Sequence, residues 1–299
     1  MIAIMEFINF YLIPGLVLGS IYALGAVGIT LTFGILRFAN FAHGETMTLG
    51  VYFTWTLMQF TPLHPLLILP VAMLLTVIVV LGIDRVFYKP FRASPTIMVV
   101  MASFGIMLMV RSLIQFFWGV QLKGLVPGIQ RPMIFFDSLR ISPKHVTIMI
   151  SAVVLVMAVH FLLSRTKIGK AMRAMSDSAE LARLTGIGTE KVVMTTWVVG
   201  ASLACAAGVF LAIDTHVETM MGFKLLLPMF AAAILGGVGK PYGAIAGGLI
   251  IGLIEELSSY PWIGTEPLLN PGYKAGVAFA IMVLMLLWRP SGLFRGKVF

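Results

Sequence analysis

The sequence predicts an all-α, polytopic integral membrane protein of about eight to ten transmembrane helices, some of them broken or re-entrant. Three observations carry that prediction. Of the 299 residues, 59% are hydrophobic and only 11% charged, with a mean hydropathy of +1.00. Apolar runs recur along the whole chain, and a soluble domain of this size has no means of burying so much apolar surface. Charges and Pro/Gly clusters part the runs at intervals near the roughly 20 apolar residues that a bilayer crossing needs.

The first run, 8–33, comes after a start, residues 1–6, that lacks both a basic region and a small-residue cleavage site. It is therefore expected to remain as a membrane helix rather than act as a removable signal. Beyond it lies a polar break, where Asn40, His43 and Glu45 sit between two apolar segments. In hydrocarbon such groups need protein partners or water, which makes 40–45 a candidate functional site. The runs 46–60, 66–83 and 97–118 follow. Arg111 interrupts the last of these, flanked by Ser103 and Gln115, and is expected to snorkel to the outer surface.

Residues 119–145, with Pro127, Gly128, Pro132 and Pro143, read as an irregular external loop. The runs 146–163 and 192–213 enclose a second soluble segment, 164–191. His160 reads as a packing histidine, and Cys205, among Ala204, Ala206 and Ala207, as a small packing residue with no disulfide or metal partner. The runs 225–235 and 244–257 are short and are expected to be two halves of a re-entrant or broken element. Glu255 and Glu256 are expected to be solvated at an outer helix end, and 276–288 is the last run. The whole chain, 1–299, thus reads as a single transmembrane domain.

Most of the 21 Lys and Arg residues fall on inner loops when the N-terminus is placed outside and the C-terminus in the cytoplasm. The basic loop at 119–145 runs against that assignment. The net charge of +9 is accordingly a topology signal, made for a membrane lipid boundary. It is not a nucleic-acid footprint, which needs basic residues clustered with stacking aromatics on a soluble face.

The inner segment, 164–191, carries the most local chemistry. Asp177 followed three places later by Glu180 makes a capping-box-like helix start, after which Leu181, Leu184 and Ile187 recur at a three-residue spacing. Gly186 and Gly188 interrupt the pattern as a helix C-terminus would. Such a helix either lies on the membrane surface or offers its leucines to a groove on a cytoplasmic partner. Between the two short runs, Gly236, Gly237 and Gly239 form a glycine hinge where backbone turns sharply. Gly239-Lys240 invites a phosphate-binding reading, yet Ile234 stands where the first glycine of a P-loop belongs and Pro241 replaces the Ser or Thr. Any ATP must then be hydrolysed by another subunit, and this chain is not expected to be an enzyme.

Other classes fit less well. No second histidine stands four residues from His43, and no Ser/His pair with an orienting acid is evident, so neither a zinc nor a serine hydrolase is indicated. No metal or other cofactor is called for. An ion-coupled secondary transporter also uses broken helices and repeats, but the breaks at 37–44 and 236–243 match poorly in side chains.

Seven blocks occur in order: Gly19-Ser20-Ile21-Tyr22-Ala23-Leu24, Phe33-Gly34, Asn40-Phe41-Ala42-His43-Gly44-Glu45, Gly169-Lys170-Ala171-Met172-Arg173-Ala174, Ala182-Arg183-Leu184-Thr185-Gly186-Ile187, Ala232-Ala233-Ile234-Leu235-Gly236-Gly237 and Arg289-Pro290-Ser291-Gly292. Through them the chain, from about residue 7 to its end, resembles the LivH-type permeases of branched-chain amino acid ABC importers.

The resemblance implies a bacterial inner-membrane permease working by alternating access. Its partners would be a second, LivM-like permease subunit, two cytoplasmic ATP-binding subunits and a periplasmic amino-acid-binding protein. It also makes 164–191 a coupling loop, in which Asp177, Glu180, Leu181, Arg183, Leu184, Gly186 and Ile187 meet an ATPase. Thr185 and Gly188 depart from residues that relatives often carry there, Leu and Asn. Asn40, His43, Glu45 and Tyr22 become candidates for the substrate path. Their competing reading is structural: the first three brace a helix break, and Tyr22 is a packed ring. Branched-chain amino acids are the expected cargo, with urea or short amides as alternatives handled by look-alike permeases.

Overall fold

The computed structural model describes residues 2–61, 63–92, 94–126, 133–135, 139–261, 269–294 and 296. Helix α1 (Ile2–Phe7) runs through a π turn (Ile8–Leu12) into α2 (Ile13–Leu36). Then come α3 (His43–Phe60) and α4 (Pro65–Ile83), the latter continued by a π turn (Asp84–Tyr88) and α5 (Lys89–Phe91). Helices α6 (Thr96–Trp118) and α7 (Pro143–Arg165) are followed by the short α8 (Lys167–Asp177) and α9 (Ala179–Leu184). Helices α10 (Thr189–Asp214), α11 (Met221–Gly236), α12 (Pro241–Leu257) and α13 (Lys274–Trp288) complete the chain. Each of the nine apolar runs is a helix.

Among the described residues, five continuous helical segments are long and apolar enough to cross a membrane: Met5–Leu36, Pro65–Phe91, Thr96–Trp118, Pro143–Arg165 and Thr189–Asp214. They sort into two kinds by burial. The most apolar stretches of α2 and α10 are 72% and 83% buried, whereas those of α4, α6 and α7 are 22–33% buried and turn Leu, Ile, Val, Met and Phe outward. Lipid is as apolar as leucine, so an outward apolar side chain costs nothing there, and what draws helices together is close packing.

Small residues supply that packing. Helices α2 and α12 run antiparallel, Gly15 lying against Leu253, Gly19 against Leu249 and Gly252, and Ala23 against Gly248. A Cβ on Gly252 would stand 2.3 Å from the Gly19 Cα, so backbone meets backbone along this seam. Helices α3 and α10 meet in the same way, Gly50 against Cys205 and Gly208 against the Met47 carbonyl. Cys205 is fully buried in that contact.

Helices α11 and α12 form an antiparallel hairpin, with Gly236 against Gly243 and Ala232 against Gly247. The two short runs thus lie side by side, the hairpin arrangement of a re-entrant element, and not end to end as the halves of a broken helix. The turn between them is built on Gly237 and Gly239, whose φ values of 101° and 82° lie in the left-handed region that glycine adopts without a Cβ clash. Gly236 is the last residue of α11.

Of the expected external loop, residues 127–132 and 136–138, including Pro127, Gly128 and Pro132, lie outside the described residues. Its described part is less irregular than expected: strands Met133–Phe135 and Leu139–Ile141 pair antiparallel, with Ile134 opposite Arg140. Lys123 pairs by backbone with Val217, and its ammonium sits 3.8 Å over the Trp55 ring, where burial holds it below its ordinary pKa.

The glycine seam carries a direct prediction. Gly252→Ala is expected to destabilise the protein by about 1–3 kcal/mol through overpacking against backbone. A thermal midpoint in detergent equal to that of the unsubstituted protein would show that the seam has room to spare.

Candidate functional site

The polar break is a chain reversal inside the bundle. Helix α2 stops at Leu36 because Arg37 turns left-handed, at φ 59°, with its N–H still donating to Phe33. The chain then climbs back, and the His43 ring that opens α3 packs on Gly28. Gly28 lies roughly eight residues before the end of α2, about 12 Å of helix, so α3 begins well within the bundle.

A break at that depth frees backbone groups that lipid cannot solvate, and side chains satisfy them. Asn40 Oδ1 accepts from the Ala42 N–H at 3.1 Å and from the Tyr88 hydroxyl at 2.9 Å. Ser103 Oγ, from α6, accepts from the Phe41 N–H at 3.3 Å and lies 3.3 Å from the Ala39 carbonyl, while donating most closely to Val100 of its own helix at 2.7 Å. Asn40 and His43 are both buried, and His43 Nε2 has no hydrogen-bond partner among the described residues.

Glu45 is fully buried, and its Oε1 accepts from Arg111 Nε at 2.9 Å and Nη2 at 2.6 Å. Arg111 therefore does not snorkel. The carboxylate two residues into α3 outcompetes the surface, and the Phe223 ring covers the guanidinium with its centroid 4.5 Å from Cζ. One helical turn further, Gln115 Nε2 donates to Thr219 Oγ1 at 3.4 Å.

A second network continues from Asn40 towards the end of the bundle that holds α8 and α9. Tyr88 stacks on Trp197 at 5.0 Å, the Trp197 indole donates to Asp84 at 2.8 Å, and Arg92 donates to both Asp84 oxygens at 2.8 and 2.5 Å. Arg92 and Lys89 also pair with Glu190 on the first turn of α10. Burial works against the Arg92 charge, but the Asp84 carboxylate outweighs it and holds the guanidinium above its ordinary pKa. The π turn brings Asp84 and Tyr88, both buried, onto the same network.

Helices α8 and α9 correct the expected coupling loop in three respects. The residue that caps α9 is Ser178, whose Oγ accepts from the Leu181 N–H; Asp177 instead ends α8 and lines a cavity of about 240 Å³ with Gly239 and Lys240. Glu180 thus falls in the first turn without closing a capping box. Secondly, Ile187 leaves the apolar row. The Gly186 N–H donates to Arg183 and the Ile187 N–H to Ala182, a Schellman turn with Gly186 at φ 80° that folds Ile187 back against the core. Thirdly, the 11-residue α8 is a distinct amphipathic helix that seats Met172 and Met175 in the core. Leu181 and Leu184 remain outward, 64% and 83% exposed. Beneath α9, Arg183, Arg37, Asp84 and Arg92 line a cavity of about 220 Å³.

Tyr22 and Glu255 are brought together. The Tyr22 hydroxyl donates to Glu255 Oε2 at 2.9 Å, both side chains buried, while Glu256 pairs with Lys274 at 2.7 Å. Glu255 is therefore not solvated: the α2–α12 seam turns it inward. His160 contacts the Tyr242 hydroxyl at 2.8 Å. Among the described residues no three His, Cys, Asp or Glu side chains group as metal ligands would. Sequence reasoning missed the Asp84–Arg92–Glu190 and Glu45–Arg111 pairs, whose signal was intramembrane charge of both signs.

The Asp84 node ranks two substitutions. Asp84→Ala leaves the Trp197 indole without its acceptor and Arg92 with Glu190 alone, and is expected to cost about 1.5–3 kcal/mol. Tyr88→Phe removes one hydrogen bond and is expected to cost about 1 kcal/mol. Thermal unfolding in detergent measures both, and equal effects would dismiss Asp84 as the centre of the network.

Residues 11–286 match the family described as branched-chain amino acid transport system / permease component. The chain is 32% identical to the high-affinity branched-chain amino acid transport system permease protein LivH of Escherichia coli (strain K12), over 93% of this chain and 92% of that protein. It is 29% identical to the BraD permease protein of Pseudomonas aeruginosa, over 94% of each chain. A chain in the structure of PsaBC from Streptococcus pneumoniae in complex with Fab superposes with a TM-score of 0.53 at 13% identity over 97% of each chain, a likeness of fold. With the apolar helices and the braced break, these matches establish that the chain is a multi-pass membrane protein belonging to the family of permease components of branched-chain amino acid transport systems.

Proposed function

We propose that the chain is the membrane-spanning subunit of an ATP-driven importer, which takes branched-chain or related amino acids from a periplasmic binding protein and releases them into the cytoplasm. Its partners are a second permease subunit and two cytoplasmic ATP-binding subunits, which hydrolyse the ATP. It lies in the bacterial inner membrane with its N-terminus outside and its C-terminus in the cytoplasm.

The observation that carries this reading is the pair Leu181 and Leu184. Two leucines face outward on a short, doubly capped helix in a segment rich in Arg and Lys. An ATPase groove that accepts an apolar helix face explains them. Motion imposed on α9 passes directly into α10, which begins five residues later at Thr189. Glu190 then carries it to Arg92, Asp84 and Tyr88, and so to the Asn40 brace. Helices on the two sides of the break rock, and access alternates. Asp177, Glu180, Arg183 and Gly186 act by shaping and seating α9, and the Gly236–Gly239 turn serves as a hinge.

Leu184→Asp is expected to abolish ATP-driven leucine uptake in vesicles holding the complete transporter, while the chain still inserts at normal abundance. Uptake at the original rate in that variant would remove α9 as the coupling element.

A further inference from the structure

Arg111 is held in a manner that leaves part of it unused. Glu45 Oε1 takes the edge formed by Nε and Nη2, and Phe223 covers one face. Among the described residues no hydrogen bond engages Nη1. A guanidinium fixed on one edge and one face presents its remaining edge as a planar, preorganised receptor for a second carboxylate. The Arg111 side chain is 13% exposed, so the residue is not sealed in protein, and Nη1 is the nitrogen left without an acceptor among the described residues.

Its surroundings fit an apolar amino acid. Helices α6 and α11 both pack on α3, and Arg111 lies between them. Phe223, against the guanidinium, and Phe104, two turns earlier on α6, are both exposed, and the Gln115–Thr219 pair lies one turn towards the Trp118 end of α6. Facing lipid, a partly exposed guanidinium and a glutamine on one helix flank would be costly. Facing a water-filled path, they are solvated, and the aromatic rings offer contact for a branched side chain.

We propose that Arg111 binds the carboxylate of the translocated amino acid, with Glu45 and Phe223 as the positioning residues that orient its guanidinium. The assignment rests on the permease reading and deepens it by naming the cargo's chemical class. Urea and short amides carry no carboxylate for this edge, so a zwitterionic or anionic cargo is selected.

The test removes both charges together, because Arg111→Gln alone would strand Glu45 in the interior. In Arg111→Gln/Glu45→Gln the complex with its partner subunits is expected to be recovered intact, while leucine uptake falls about tenfold or more, the loss of one charge-assisted hydrogen bond. Uptake at the original rate in the double variant overturns the assignment. A second measurement stands apart from assembly of that variant. Gln115→Cys in the complete transporter is expected to react with a membrane-impermeant methanethiosulfonate, about tenfold faster than Phe116→Cys on the outward face; buried Cys205 stays silent. An unreactive Gln115→Cys overturns the assignment as well, since that flank would be covered by lipid or protein. Failure of the unsubstituted complex to move leucine with ATP would instead sink the permease reading itself, before any variant is made.

Discussion

A backbone group exposed to hydrocarbon has nowhere to donate or accept, and that constraint organises this protein. Helix α3 does not start level with the end of α2 but some 12 Å back along it, beside Gly28. The reversal that puts it there strips the chain of helical hydrogen bonds between Arg37 and His43. Asn40 and Ser103 replace them, and Tyr88 holds the Asn40 side chain in place. Because Tyr88 also stacks on Trp197, and Trp197 is tied to Asp84, the repair of one broken helix recruits α4, α6 and α10. A cluster that looks like a ligand site in the sequence is first a splice between two helices.

The same constraint explains why so much of the fold was legible in advance. Hydrocarbon forces each crossing to be a helix and to be apolar, so runs such as 97–118 and 146–163 fall within a few residues of α6 and α7. The break at 40–45 was legible because polar residues in an apolar chain stand out. Pairings were not. Glu45 and Arg111 are 66 positions apart, and Tyr22 and Glu255 are 233 apart. Hydropathy records how polar a residue is, not whom it meets, and Arg111 looked like a side chain seeking water while its partner lay one helix away. The cap of α9 failed for a local reason: Asp177 and Ser178 are both good capping residues, and only the extended backbone at Ser178 decides between them.

Charge is placed sparingly, and among the described residues the buried acids have partners. Asp84 pairs with Arg92 and Glu45 with Arg111, Glu255 is held by a tyrosine hydroxyl, and the half-buried Glu256 pairs with Lys274. Pairs of this kind add little net stability, since desolvation consumes most of the attraction, but each specifies which helices must be neighbours. In a membrane, where apolar faces are interchangeable, that specification is what distinguishes one helix arrangement from another.

The glycine seam between α2 and α12 sets the mechanics of whatever motion the bundle makes. Side chains elsewhere can change rotamer and cushion a small displacement, but at Gly19 and Gly252 only main chain is present to yield. Sliding one helix along the other would drive atom into atom within a fraction of an ångström. Helices α2 and α12, with α11 locked to the latter through Gly236, Gly243 and Gly247, therefore travel as one rigid body. Any displacement is left to boundaries padded by flexible side chains, such as those of α4 and α6.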